Sequence, residues 1–434
     1  MSKYQNYIAV PEAVWFKSLP DTWKAVKMRA LFSERVTKVS DKDYPPLSVG
    51  YIGVVPQLAN AAKTDNGDNR KLIKAGDFAI NSRSDRKGAG GISKYDGSCS
   101  IIITVLKPHS EINGTFYHYL LRSHYFSEEF YRNGNGIVGD LWTTKWKTMR
   151  NIYVTVPPRE EQDQIVRFLD WKVSKINKLI SLKRRRIAYL EELQRSRTAH
   201  LIMGNSRDIA QRKTCIGWVE SIPVHWREKT LIQFADEQQI KNTGMKETNL
   251  LSLSYGEIVK KDINTTEGLL PVNFEGYQIV YPGSIILRLT DLRNDHKSLR
   301  TGLVTQTGII TSAYVCLKAR DGIIPEYLQL QLHVADLCKV FYGMGGGVRQ
   351  SIGFKDIRKL LIAIPPIDDQ QHIIELVHRR NRLITRAIQV DREFISTLEA
   401  LKTRLISDVV TGKLDVQNIE IPDFEYTYAD VGSS

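Results

Sequence analysis

The chain has 434 residues, enough for two or three domains that each bury a core of their own. Its hydrophobic content of 42% and charged content of 25% are ordinary for a globular protein, but its formal net charge of +13 is high. This excess of cations favours a polyanionic partner, with nucleic acid ahead of an anionic membrane surface. A basic surface that binds nothing is the alternative.

The N-terminus and the cysteines predict a reduced, soluble, intracellular protein, which we expect in the cytoplasm. The opening segment 1–7 lacks the apolar core of a signal peptide, and no apolar stretch approaches the roughly 18 residues of a membrane span. The four cysteines are widely spaced and form no CxxC pair. Neither a zinc site nor a disulfide framework is therefore indicated.

Residues 1–157 have the pattern of a mixed α/β domain. Short apolar runs such as Phe78–Ile80 and Ile101–Leu106 predict strands, and turn-forming residues separate them. A stretch rich in aromatic residues, Phe116–Phe130, has its apolar residues at near-helical spacing. It predicts one amphipathic helix.

A long helix is predicted over residues 158–206. Pro157 and Pro158 end the preceding strand, because proline cannot donate to a β ladder and disfavours helix in the residue before it. Glu160 and Glu161 follow, where negative charge suits the N-terminal end of a helix. Apolar residues then recur at alternating intervals of three and four, which indicates a coiled-coil seam. The predicted core residues of this seam are Leu169, Ile176, Ile180, Ile187 and Leu190.

The second half of the chain repeats this organisation. Residues 207–365 again predict a mixed α/β domain, residues 366–412 a second long helix, and residues 413–434 a tail. Pro157 and Pro365 stand 208 residues apart, and so do Gly204 and Gly412. An isolated helix of this length could not bury its seam, so the two helices are each other's natural partners. The core residues of the second seam are Ile384, Ile388, Ile395 and Leu398.

Lys183 and Asp391 occupy equivalent core positions near the middle of the two seams. In an antiparallel pair related by a two-fold axis the helix midpoints meet. We therefore expect these side chains to pair and to help fix the register of the helices. The alternative is that each side chain extends independently to water.

The sequence lacks the usual signatures of catalysis. It contains no GxxxxGK[ST] phosphate loop, no HExxH zinc motif and no Gly-x-Ser-x-Gly nucleophile turn. We therefore predict no catalytic residue, no metal ligand and no cofactor in this chain. Together these absences favour a binding protein, and a nuclease or methyltransferase with an unrecognised site is an alternative.

Candidate DNA-binding residues lie in basic loops of both halves. Arginine and lysine bind phosphates or guanine edges, and asparagine and glutamine can read adenine. For each residue singly, an ordinary solvated side chain is the alternative. The candidates are Asn81, Arg83, Arg86, Lys87, Lys145 and Lys147 in the first half, and Arg288, Arg293, Asn294, Lys297, Arg300, Arg349 and Gln350 in the second.

In their order and duplication, these motifs resemble the specificity subunits of type I restriction–modification enzymes. The resemblance rests on Trp-x-x-x-[Leu/Ile]-Pro-x-x-Trp at Trp15 and Trp218, and on Pro-Pro-x-[Glu/Asp]-[Glu/Asp]-Gln at Pro157 and Pro365. The long helices and the segment Thr411–Val416 complete it. The first copy lacks the Thr-Gly-Lys-Leu-Asp ending of the second, which leaves the start of the second domain open by several residues.

The resemblance implies an α+β fold. Two mixed α/β target-recognition domains would be joined by two long helices that form an antiparallel coiled coil with pseudo-two-fold symmetry. Each domain would read one half of an asymmetric, bipartite site in double-stranded DNA.

The resemblance also implies partners. Two modification subunits would carry S-adenosylmethionine and methylate adenine, and restriction subunits would use ATP and Mg. No membrane is involved. A coiled-coil scaffold that binds only proteins is the remaining alternative.

Overall fold

The computed structural model describes residues 3–57, 67–83, 86–109, 112–136, 142–204, 209–263, 273–295, 298–344 and 351–426. The chain divides into two compact units. One consists of Met1–Arg185 with Asp391–Ser434, and the other of Arg186–Val390. Each unit therefore combines one globular domain with a part of each long helix.

Short antiparallel strands and three short helices build the described part of the first domain, and a long helix follows it. In chain order these elements are β1 (Tyr7–Ala9), β2 (Ser18–Pro20), β3 (Lys24–Lys27), β4 (Phe32–Glu34), β5 (Lys38–Val39), β6 (Leu47–Gly50), β7 (Gly53–Pro56), β8 (Arg70–Ile73), β9 (Phe78–Asn81), β10 (Gly90–Ile92), β11 (Gly97–Cys99), β12 (Ile103–Pro108), α1 (Gly114–Leu120), α2 (His124–Arg132), α3 (Trp146–Met149), β13 (Tyr153–Val156) and α4 (Arg159–Ile202). The sheets have the orders β10-β9-β12-β4 and β11-β8-β5, and the pairs are β1-β2, β3-β13 and β6-β7.

The second domain repeats this topology with one exception. Its elements are β14 (Gln211–Lys213), β15 (Ser221–Pro223), β16 (Arg227–Thr230), β17 (Ala235–Glu237), β18 (Leu251–Ser254), β19 (Glu257–Lys260), β20 (Gln278–Val280), β21 (Ile285–Leu287), β22 (Thr301–Leu303), β23 (Gly308–Ile310), β24 (Val315–Ala319), α5 (Pro325–Leu337), α6 (Phe354–Ile357), β25 (Leu361–Ile364) and the long helix α7 (Ile367–Val410). The order β22-β21-β24-β17 matches β10-β9-β12-β4. The exception is that the pair β20-β23 stands where the first domain has the three-stranded sheet β11-β8-β5. The predicted fold of two mixed α/β domains with two long helices is confirmed.

The predicted single helix over Phe116–Phe130 is wrong, because the chain forms α1 and α2 there instead. Ser123 begins α2 as its N-cap, and its hydroxyl oxygen accepts the Phe126 N–H at 3.3 Å. An N-cap that satisfies a first-turn donor lets a new helix start after a break. The aromatic side chains still face the core, since Phe116 and Phe126 are both fully buried.

Both long helices end on a glycine that contacts a proline of the repeated tryptophan motif. Gly412 has φ +71° and Gly204 φ +67°, the left-handed conformation that favours glycine after a helix. A side chain on Gly412 would overlap Pro20 and lie 3.3 Å from Trp23, and one on Gly204 would lie 2.6 Å from Pro223. In each copy, the tryptophan motif therefore packs against the end of a long helix.

In the first unit, the beginning of α4 packs antiparallel to the end of α7. Near the start of α4, the Thr155 hydroxyl donates to the Val410 carbonyl at 2.8 Å. Further along α4, the Lys183 ammonium lies 2.7 Å from the Asp391 carboxylate. From one contact to the next, the residue number rises on α4 and falls on α7, as antiparallel packing requires. Side chains of both helices share one core with the first domain, among them Phe168, Ile176, Ile180, Leu398 and Leu405.

The ion pair predicted between Lys183 and Asp391 is confirmed. The Asp391 side chain is 1% exposed, and the Lys183 side chain is 26% exposed. The Lys183 Nζ also lies 5.1 Å from the ring centre of Phe394. The carboxylate is therefore buried in the seam while the ammonium reaches it along an aromatic face.

The other predicted seam residues differ in how far they are buried. Five of the nine are buried, and four are half-buried. The buried set is Leu169, Ile176, Ile180, Ile388 and Leu398, and the half-buried set is Ile187, Leu190, Ile384 and Ile395.

No helix in the described part of the chain is long and apolar enough to cross a membrane.

Candidate nucleic-acid interface

The glutamine of each Pro-Pro motif joins its domain to its long helix. The Gln162 side chain donates to the Pro157 carbonyl at 2.9 Å and accepts the Asn113 N–H at 3.0 Å. Gln370 makes the same two contacts, with the Pro365 carbonyl at 3.0 Å and the Ile324 N–H at 2.8 Å. Both glutamines are buried. Sequence reasoning missed this role, although the motif displayed the residue in both copies.

The loop between β9 and β10 carries the first group of predicted DNA-binding residues. Arg83 and Arg86 are exposed there. The backbone of Arg83 forms a β-bridge with Thr143, which brings this loop beside the segment that leads into α3. Lys145 is exposed at the start of α3, and Lys147 is exposed within it. The fold therefore brings two predicted basic groups, distant in sequence, next to each other.

Two other predicted residues of this loop are engaged within the protein. Asn81 is 8% exposed, and its side-chain oxygen accepts the Arg83 N–H at 3.0 Å. The Lys87 ammonium lies 2.5 Å from the Glu128 carboxylate and 4.9 Å from the ring centre of Tyr131. Lys87 also lowers the pKa of Glu128 through that hydrogen bond. Asn81 supports the loop, and the charge of Lys87 is partly neutralised.

The equivalent loop of the second domain connects β21 and β22. Arg293 and Asn294 are exposed, and the Asn294 amide donates to the Asp291 carboxylate at 2.8 Å. Arg288 is half-buried, with its guanidinium 3.5 Å from the Asp295 carboxylate. This loop thus presents arginine and asparagine side chains, and its own aspartates contact Asn294 and Arg288.

The prediction that Arg300 contacts DNA is wrong, because the residue is not accessible. It is fully buried, and its guanidinium donates to the carbonyls of Arg288 at 3.0 Å and Thr290 at 2.8 Å. The same side chain donates to the Asp295 carbonyl and, at 2.9 Å, to the Tyr342 hydroxyl. A guanidinium has five N–H donors in a planar fork, so one arginine can hold several carbonyls of a loop. Arg300 shapes the loop from inside.

Three predicted residues lie outside the described residues. They are Lys297, Arg349 and Gln350.

A polar pair, on or just after the helix that follows the sheet, lies against the strand that follows each basic loop. His118 Nδ1 accepts the Ile92 N–H at 3.2 Å, and its Nε2 lies 2.8 Å from the Arg122 guanidinium. In the second domain, Gln329 and His333 both reach the Thr301 hydroxyl, at 3.2 and 3.3 Å. Burial, aided by Arg122, lowers the pKa of His118 to about 3, and burial lowers that of His333 to about 4. Both imidazoles are therefore neutral at pH 7. Only the helical spacing of these residues could have indicated these contacts from the sequence.

The described residues contain no group of three or more His, Cys, Asp or Glu side chains that could hold a metal ion. Burial raises the pKa of Cys99 to about 12 and that of Cys316 to about 11, so both thiols are protonated at pH 7. The chemistry that the described loops offer is hydrogen bonding and positive charge, which suits binding to a phosphate backbone and base edges.

Comparison with known proteins agrees with this arrangement. The chain is 20% identical to the type I restriction enzyme MjaX specificity subunit of Methanocaldococcus jannaschii over 403 residues, which cover 88% of this chain and 87% of the relative. The resemblance drawn from the motifs is thereby confirmed. No protein-family model matches the chain.

Solved structures share the fold. A chain from a study of complex assembly and conformational transition of the type I R-M system matches with a TM-score of 0.66 at 15% identity, covering 91% of this chain and 99% of that one. The HsdS subunit of Thermoanaerobacter tengcongensis matches with a TM-score of 0.48 at 16% identity, covering 91% and 98%. The first of these matches confirms the α+β fold class over nearly the whole chain.

Proposed function

We propose that this chain is the DNA sequence-recognition subunit of a type I restriction–modification complex. The observation that carries the proposal is the duplicated frame. Two domains of one topology each place a basic hairpin loop, β9–β10 or β21–β22, on a sheet, and a buried glutamine ties each domain to a 44-residue helix. The loops differ in sequence. Each domain would therefore read a different half of an asymmetric, bipartite site in double-stranded DNA.

In this proposal the chain binds DNA and directs chemistry that other subunits perform. Two modification subunits would hold S-adenosylmethionine and methylate adenine, and restriction subunits would use ATP and Mg. This chain itself would need no cofactor and would have no catalytic residue. Because its substrate is cellular DNA, we place it in the cytoplasm. The net charge of +13 supports a phosphate-dominated affinity that falls steeply with salt.

The test is to co-express the full chain with its modification subunits and to map methylated adenines across a genome. We expect one split consensus, with two different half-sites at a fixed spacing. Methylation scattered over unrelated sequences would contradict the proposal. Assembly with partner proteins but no affinity for any DNA would favour the protein-binding scaffold. S-adenosylmethionine bound by this chain alone would favour an enzyme.

A further inference from the structure

The hairpins β6–β7 and β18–β19 occupy equivalent places in the two domains, and their packing fixes which residues correspond. A side chain on Gly97 would lie 2.7 Å from Leu47, and one on Gly308 would lie 2.7 Å from Leu251. These glycines lie in the equivalent strands β11 and β23, and each allows its hairpin to pack closely on that strand. Leu47 and Leu251 are 204 residues apart in the sequence. The register of the two hairpins is therefore known without any similarity between them.

That register places a tyrosine at the tip of both hairpins. Tyr51 and Tyr255 are also 204 residues apart. The two residues of each turn lie between the paired ends, which are Gly50 with Gly53 in the first hairpin. Tyr51 is 60% exposed and Tyr255 is 90% exposed. Large aromatic residues at two matching, solvent-facing positions are not explained by packing.

The backbone conformation at Tyr255 makes a tyrosine at this position unusual. Tyr255 has φ +48° and Gly256 has φ +84°, so both turn residues adopt the left-handed conformation, as in a type I′ turn. Asparagine or glycine is the favoured residue at the first of these positions, and a bulky residue there is strained. Strain at a single exposed residue points to a use for the side chain outside the fold.

Each tip lies beside the basic loop of its own domain. A side chain on Gly256 would lie 3.2 Å from Leu299, near the end of the β21–β22 loop. A side chain on Gly91, just after the β9–β10 loop, would lie 3.1 Å from the Gly53 backbone. The Arg122 guanidinium, which lies 2.8 Å from His118 Nε2, donates to the Tyr51 carbonyl. The first tip is therefore held against β10, the strand that follows the basic loop, and by the Arg122 side chain.

We propose that Tyr51 and Tyr255 contact the bases of the DNA target, each tyrosine in the half-site read by its own domain. This inference rests on the proposed function. The exposed arginines in the basic loop of each domain favour DNA over an apolar protein partner, because they would hold phosphates of the same half-site. The aromatic ring supplies the contact by packing on a base or on a thymine methyl group, and the hydroxyl is not required.

The experiment uses the full chain in complex with its modification subunits and a duplex carrying the mapped bipartite site. Tyr255→Asn removes the ring while supplying a residue that the turn favours, so it should not unfold the hairpin. Tyr51→Asn is its counterpart in the first domain. Tyr255→Phe and Tyr51→Phe keep the ring without the hydroxyl. Matched controls are Tyr281→Asn and Tyr95→Asn, which change exposed tyrosines beyond the ends of β21 and β10 that lie away from the basic loops.

We expect each tip Asn variant to bind the duplex about tenfold more weakly, which corresponds to about 1.4 kcal/mol. The Phe variants and both controls should bind like the wild type. The loss in Tyr255→Asn should disappear on a duplex whose second half-site is scrambled, and persist when only the first half-site is changed. Unchanged thermal unfolding of the Asn variants would exclude a folding defect.

Three results would overturn the inference. Wild-type affinity in both tip Asn variants would show that the rings touch nothing, although the proposed function would stand. Phe variants as weak as the Asn variants would assign the contact to the hydroxyl. A wild-type complex that binds no duplex would overturn the inference and the proposed function together.

Discussion

Two arginines of the second basic loop differ in what surrounds them, and this difference decides what each can do. Arg293 is exposed, whereas Arg300 is fully buried and donates to carbonyls of the loop that it follows. Both were predicted to bind DNA from residue type alone. Burial separates a residue that can meet a ligand from one that fixes the surface on which the ligand rests.

Arg300→Lys should destabilise the second unit by at least about 3 kcal/mol, because several loop carbonyls would lose their donors at once. A single ammonium cannot reproduce a planar fork that serves the Arg288 and Thr290 carbonyls and the Tyr342 hydroxyl. The measurement is chemical denaturation of the full chain. Arg293→Lys is the control and should change stability by less than about 0.5 kcal/mol. Equal stability of both variants would contradict the assigned role.

His118 makes the first unit sensitive to acid. Its pKa is lowered to about 3 in the folded protein from an ordinary 6.5, so between these pH values the unfolded chain binds a proton that the folded chain does not. Stability is therefore fully present above about pH 6.5 and is lost as the pH falls towards 3. At pH 5 the loss from this residue should be up to about 2 kcal/mol.

The variant that tests this is His118→Gln, because in the second domain Gln329 already contacts the strand after the basic loop, at Thr301. We expect the shift of the denaturation midpoint between pH 7 and pH 5 to be smaller in the variant than in the wild type. An identical shift in the two proteins would mean that His118 is protonated in the folded state at pH 5.

At the scale of elements, the seam of the long helices contains one buried carboxylate whose partner comes from the other helix. Lys183→Ala would leave the Asp391 carboxylate without the ammonium that lies 2.7 Å from it. Removing one partner of a buried pair costs about 3–5 kcal/mol, and we expect a value near the lower end because Lys183 is partly exposed.

The control for this pair is an exchange of the two charges. Lys183→Asp and Asp391→Lys should each destabilise the protein, and the double variant should recover most of the loss, because the pair is restored in reverse. Denaturation of the four proteins gives the coupling energy directly. If the two single losses simply add in the double variant, the ion pair does not help to hold the helices.

The helices were predictable because their signals are local. Proline pairs, acidic first turns and terminal glycines bound them, so α4 spans Arg159–Ile202 against the predicted 158–206, and α7 spans Ile367–Val410 against 366–412. The roles of single loop residues were not predictable. The burial of Arg300 depends on carbonyls and a hydroxyl from other segments, and the correspondence of Tyr51 with Tyr255 emerges only from how each hairpin packs.

At the scale of the whole molecule, the repeat predicts that recognition is modular. Replacing residues 1–157 with the equivalent domain of a relative should change one half of the methylated site and leave the other half unchanged. The graft should retain Pro20 and Trp23, since both contact Gly412. It should also retain Asn113, whose N–H meets Gln162. Mapping methylated adenines is the measurement, and a change in both half-sites would contradict two independent readers.

The composition of the two units also sets an order for their formation during synthesis. The second unit is one continuous segment, Arg186–Val390, whereas the first needs Asp391–Ser434 to be complete. Until Leu398, Leu405 and Val409 leave the ribosome, the apolar face of α4 that carries Ile176 and Ile180 has no cover from them. The domain synthesised first is therefore the one finished last, and its nascent form exposes a surface of the kind that chaperones bind.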